Sequence, residues 1–83
     1  MVEKEVKVQF RPREDVSVAA LVVQRAAEFR SQIHFADGNR KVNGKSIMGM
    51  MTMPFTNGQI LQITAEGPDE TEAINALEEF LSK

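Results

Sequence analysis

The 83-residue chain carries ten Lys and Arg against twelve Asp and Glu, a formal net charge of −2. That length allows one small domain, residues 1–83, and the mildly acidic balance argues against a general binder of nucleic-acid phosphates, so no direct nucleic-acid partner is expected. With no cysteine there are no disulfides or thiolate metal sites, no cofactor or metal is expected, and the absence of any apolar run near ~20 residues or of a signal-like N-terminus points to a cytoplasmic protein with no membrane partner.

Val2, Val6, Val8 and Phe10 alternate with Glu3, Glu5, Lys7 and Gln9, the period of a half-buried strand. The polar run Arg11-Pro12-Arg13-Glu14-Asp15 then reads as a loop. From about Val18 to Arg30 the period changes. Ala19, Val22, Ala26 and Phe29 recur at spacings of three and four, with Val23 beside them, which predicts a helix. Ser17 and Asp15 are both candidate caps. With Ser17 as the cap, Val16 and Leu21 sit at staple positions.

Ile33-His34-Phe35-Ala36 predicts a short strand, Asp37-Gly38-Asn39 a turn, and Lys41-Val42-Asn43 a weak strand. Ile47-Met48-Gly49-Met50-Met51 is too short and Gly-interrupted for a long helix. A helix of two turns or less, capped by Ser46, fits it. Asn57-Gly58 is a further turn signal, and Gln59 to Glu66 alternates with Leu61, Ile63 and Ala65 on one face. Gly67-Pro68-Asp69 opens a last helix. Asp69 and Glu72 have capping-box spacing, and Ala73, Ile74, Leu77, Phe80 and Leu81 make its apolar stripe. The order is β-α-β-β-α-β-α, an α+β domain in which a four-stranded antiparallel sheet is covered by three helices on one face.

Lys41-Val42-Asn43-Gly44-Lys45-Ser46-Ile47-Met48-Gly49-Met50-Met51 resembles the regulatory-serine segment of the HPr family. The likeness extends upstream through Leu21-Val22-Val23-Gln24-Arg25-Ala26-Ala27-Glu28-Phe29. Downstream it runs through Ala65-Glu66-Gly67-Pro68-Asp69-Glu70 and Ala73-Ile74-Asn75-Ala76-Leu77. The family fold is an open-faced β-sandwich of the element order just derived. The resemblance implies a protein of the sugar phosphotransferase system and of carbon catabolite repression that is not itself an enzyme.

One family signature is missing. Where the resemblance places His-Ala-Arg-Pro, this chain has Asp15-Val16-Ser17-Val18. Phosphohistidine transfer uses an imidazole nucleophile and a nearby cation; Asp15 is a weak nucleophile and Ser17 brings no charge. Glu14 adds repulsion toward an incoming phosphate, and the nearest cations are Arg11 and Arg13. Asp15 is therefore read as a cap or a solvated charge, and a fixed carboxylate is a poor copy of a phosphoryl group. The sole histidine, His34, is expected to face solvent from a strand.

Ser46 is the stronger candidate. A serine at a helix start directs its hydroxyl at free backbone N–H groups, which also favour a phosphate, and Lys45 and Arg40 are expected to add positive charge there. The resemblance implies phosphorylation of Ser46 by HPr kinase/phosphorylase. It also implies docking through Ile47, Met48 and Met51, together with Lys45 and with Ala20, Val23 and Gln24 of the first helix. Met48 and Met51 are expected to be exposed; methionine suits an adaptable surface. In the Crh-like branch, which also lacks the histidine, the phosphorylated protein partners a catabolite control protein A-type transcription regulator. That branch keeps the Arg-Pro part of the motif and this chain does not. A monomer or weak homodimer is expected. The alternative reading is a phosphocarrier that takes phosphate on Asp15 in place of histidine.

Overall fold

The computed structural model describes residues 1–9, 18–53, 55 and 58–82. Seven elements follow in chain order: β1 (Val2–Lys7), α1 (Val18–Ala26), β2 (Gln32–Asp37), β3 (Arg40–Asn43), α2 (Ile47–Met51), β4 (Ile60–Glu66) and α3 (Glu70–Leu81). The strands form one antiparallel sheet in the order β1-β4-β2-β3. Val6 lies opposite Leu61, Phe35 opposite Ile63 and Ile33 opposite Ala65.

That register brings the apolar half of each alternating strand to one side. Val6, Ile33, Phe35, Leu61, Ile63 and Ala65 are all buried. They meet Ala19, Val22 and Ala26 of α1, Met50 of α2, and Ala73, Ile74, Leu77 and Leu81 of α3. The stripes read from the sequence are therefore the faces that make the core. α3 lies against β1 and β4, α1 against α2 and α3, and α2 against β3. Lys4 ties β1 to α3 through a 2.8 Å ion pair with Glu78. The opposite side of the sheet carries Glu3, Glu5, Gln62, Thr64 and His34, so the sandwich is open on that face; His34 is half-buried there, opposite Thr64 and Asn43.

Gly38 makes the tight turn between β2 and β3. Asp37 pairs with Arg40, leaving two residues in the loop, and Gly38 has φ +64°, a backbone shape that suits glycine. Beyond β1, Val8 is buried and its N–H and C=O bond to Gln59 and Gly58. The expectations for Phe10, the loop after it, Asp15, Val16, Ser17 and Asn57 lie outside the described residues.

Two expectations change. α1 ends at Ala26, not near Arg30. The apolar spacing continues to Phe29, but the chain leaves the helix there, and the N–H groups of Arg30 and Ser31 reach Asp69 at 2.8 and 2.9 Å. Asp69 is the N-cap residue of α3 but makes no side-chain capping bond. Its carboxylate is occupied by those two N–H groups and by the fully buried Ser31 hydroxyl at 2.5 Å.

Candidate functional site

The site begins where β3 runs out. Asn43-Gly44-Lys45-Ser46 closes a turn in which the Ser46 N–H donates to Asn43 O at 3.1 Å and the Lys45 N–H to Asn43 Oδ1 at 2.9 Å. Gly44 is buried against β2, its N–H donating to Ile33 O at 2.7 Å. A Cβ there would fall 2.7 Å from the Phe35 ring and 2.9 Å from Ile33. Only glycine lets the backbone pass this close, and that approach sets the start of α2.

Ser46 is the N-cap of α2, with extended backbone (φ −99°, ψ 112°). Its hydroxyl accepts from the Gly49 N–H at 3.3 Å, and its C=O accepts from Met50 N–H at 2.9 Å. At 3.3 Å the capping bond is long, and the Ser46 side chain is only partly covered. The predicted cap is therefore found, on a half-buried side chain.

Five residues make a helix too short to hold itself, and both of its ends are fastened. Lys45 Nζ donates to Phe29 O just past α1, at 2.6 Å. At the far end Arg40 donates to Thr52 O, while the Thr52 N–H and hydroxyl satisfy Gly49 O. Both cations donate to backbone carbonyls and keep their charge; Lys45 adjoins Ser46 in the chain, while Arg40 bonds at the end of α2 opposite Ser46. These two contacts span 12 and 16 residues, so local pattern carries no sign of them. Arg25 lies 5.9 Å from the Phe29 ring and pairs with Glu28 at 2.8 Å.

The apolar residues of α2 divide by face. Met50 is fully buried, whereas Ile47, Met48 and Met51 are exposed at 41%, 80% and 68%. The expected exposure of Met48 and Met51 is found. On the neighbouring α1, Ala20 and Val23 are partly covered and Gln24 is exposed, while Ala19, Val22 and Ala26 face inward. The candidate patch thus lies on two adjoining helices next to Ser46. Met51 also borders a shallow depression of about 280 Å³ shared with Val18, Ala19, Met53 and Phe55. No group of three or more metal-ligating side chains occurs among the described residues, and no described helix is long and apolar enough to cross a membrane.

A family model described as the PTS HPr component phosphorylation site matches residues 2–83. The HPr-like protein Crh of Halalkalibacterium halodurans is 42% identical over 83 residues, spanning 100% of this chain and 99% of that protein. The crystal structure of HPr-C-His from Thermoanaerobacter tengcongensis superposes with a TM-score of 0.86 at 41% identity, covering 98% of this chain and 91% of the other. A Bacillus subtilis Crh crystal structure, described as a dimer with a swapping domain, gives a TM-score of 0.71 at 36% identity and covers 98% and 93%.

Proposed function

The chain belongs to the HPr family, and on that premise we propose that it is a regulatory member acting through protein–protein binding, switched by phosphorylation of Ser46. HPr kinase/phosphorylase is the proposed modifying partner, and a catabolite control protein A-type transcription regulator the proposed reader of the phosphorylated form.

The observation that carries this reading is the surface itself. The half-buried Ser46 heads α2 as its cap, and Ile47, Met48 and Met51 stand exposed beside it with Ala20, Val23 and Gln24 on the adjoining helix. A phosphoryl group adds about −1.5 to −2 charge next to an apolar patch. A partner that pairs a basic site with an apolar one then distinguishes the two forms by charge while docking on the same methionines. The first turn of α2 contains no acidic residue to oppose the added charge. In the register of the family resemblance Asp15 stands where the phosphate-bearing histidine would, and Ser17 where the cation beside it would, which weakens the chemistry for passing phosphate onward.

The test is incubation with an HPr kinase and ATP, followed by intact-mass spectrometry. One added phosphoryl group is expected on the native chain and none on Ser46→Ala. Failure of the native chain to gain mass, or equal labelling of the variant, defeats the reading.

A further inference from the structure

Met48, Met50, Met51 and Met53 fall within one short segment, and the fold divides them sharply. Met50 and Met53 are in the core at 0% and 3% exposure, while Met48 and Met51 are 80% and 68% exposed. The exposed pair is three residues apart, one turn of helix, so both sulfurs belong to the same outer side of α2. The rest of that side, Ile47, is apolar as well.

We propose that Met48 and Met51 form a reversible oxidation site, where a peroxide-class oxidant turns the apolar face of α2 polar without unfolding the protein. The thioether sulfur attacks one peroxide oxygen. The S–O bond forms as the O–O bond breaks, sulfur gives up two electrons, and the second oxygen leaves as water after a proton shift. The product sulfoxide is a polar acceptor that an apolar partner surface leaves unpaired. The fold tolerates the change because neither side chain is in the core cluster. Met50 and Met53, at 0% and 3% exposure, serve as internal controls: an oxidant reaches Met50 only when the core opens, and Met53 only through its small exposed part. The consequence for docking rests on the function proposed above, and oxidation would then override the Ser46 signal by removing the apolar half of the recognised surface.

The experiment treats the folded protein with hydrogen peroxide and follows it by peptide mass mapping, hydrophobic-interaction chromatography and circular dichroism. Methionine sulfoxide reductases are then added. Met48 and Met51 are expected to gain one oxygen each at least about tenfold faster than Met50 and Met53. Column retention should drop, the circular dichroism spectrum should hold, and the reductases should restore retention. Met1 is also exposed, at 76%, so a Met48→Leu/Met51→Leu variant separates its effect: retention of that variant should fall only by the Met1 contribution, well short of the drop in the native chain. Uniform rates across the four methionines overturn the proposal. Unfolding on oxidation, or an equal drop in retention in the double variant, does so too.

Labelling by HPr kinase is measured in parallel. Oxidation should lower it at least about tenfold for the native sequence, and leave the treated-to-untreated ratio of the double variant near one. Undiminished labelling of the oxidised native protein overturns the regulatory consequence. Absent labelling before any oxidation overturns the Ser46 reading instead, and the oxidation site then stands or falls on mapping and chromatography.

Discussion

The Asp69 carboxylate accepts three hydrogen bonds, from Ser31 Oγ, Ser31 N and Arg30 N, across 38 and 39 residues of chain. The Ser31 hydroxyl foremost, and the Arg30 N–H after it, hold its carboxyl below the usual 3.8. Beside it, the N-terminal ammonium at 3.0 Å and then the Gly67 N–H hold Glu70 below 4.5. Both groups bind protons more weakly folded than unfolded. Their contribution to stability is therefore complete above those ordinary values and is lost as pH falls through the lowered folded ones. Asp69→Asn is expected to lower the thermal midpoint at pH 7, and the gap to the native chain should narrow as pH drops below 3.8. Thermal melts across that range check it, and a constant gap would contradict the cause given. At Gly44 the prediction is steric. Gly44→Ala forces a Cβ against Phe35 and Ile33 and should cost about 1–3 kcal/mol in urea unfolding. Neither residue's role is visible locally. The spacing of Asp69 and Glu72 suggests a capping box, but Asp69 is held by partners on the far side of the fold, and a glycine's neighbours are set by strand pairing.

Helix α2 joins opposite demands within five residues. Met50 fills the core, whereas Met48 projects from it. Met50→Ala is expected to cost about 2–5 kcal/mol through the lost contacts and the cavity left behind. Met48→Ala should stay within about 0.5 kcal/mol. Chemical denaturation of the two variants decides the point, and similar losses would mean that the outer face of α2 is a packed one. The sequence pattern reaches this far because period alone separates faces: Val22 from Gln24 on α1, Leu61 from Gln62 on β4, and Ala73, Ile74 and Leu77 from Asn75 on α3. It falls short where an element ends for tertiary reasons. The apolar spacing of α1 continues to Phe29, yet the helix stops at Ala26 and the chain turns toward Asp69. The clamps by Lys45 on Phe29 O and by Arg40 on Thr52 O likewise bring together residues that no repeat or spacing connects.

Across the whole molecule, charge and apolar surface are distributed unevenly. Residues 60–82 contain six acidic side chains and no basic one (Glu66, Asp69, Glu70, Glu72, Glu78 and Glu79), whereas Arg25, Arg30, Arg40, Lys41 and Lys45 fall on the α1 to α2 half. The small net charge of −2 hides this division. The half that carries Ser46 and the exposed methionines is the basic one. Both sheet edges are charged, β1 with Glu3, Lys4, Glu5 and Lys7 and the four-residue β3 with Arg40 and Lys41, which discourages edge-to-edge pairing. The central claim is that this member of the family receives phosphate on Ser46 to be recognised and does not relay it. The most direct measurement offers the protein two phosphate sources side by side: ATP with HPr kinase, and phosphoenolpyruvate with Enzyme I. The account predicts stable label from ATP that Ser46→Ala abolishes, and no label from phosphoenolpyruvate. A hydroxylamine-sensitive label from phosphoenolpyruvate that disappears in Asp15→Asn would contradict it and make the chain a carrier.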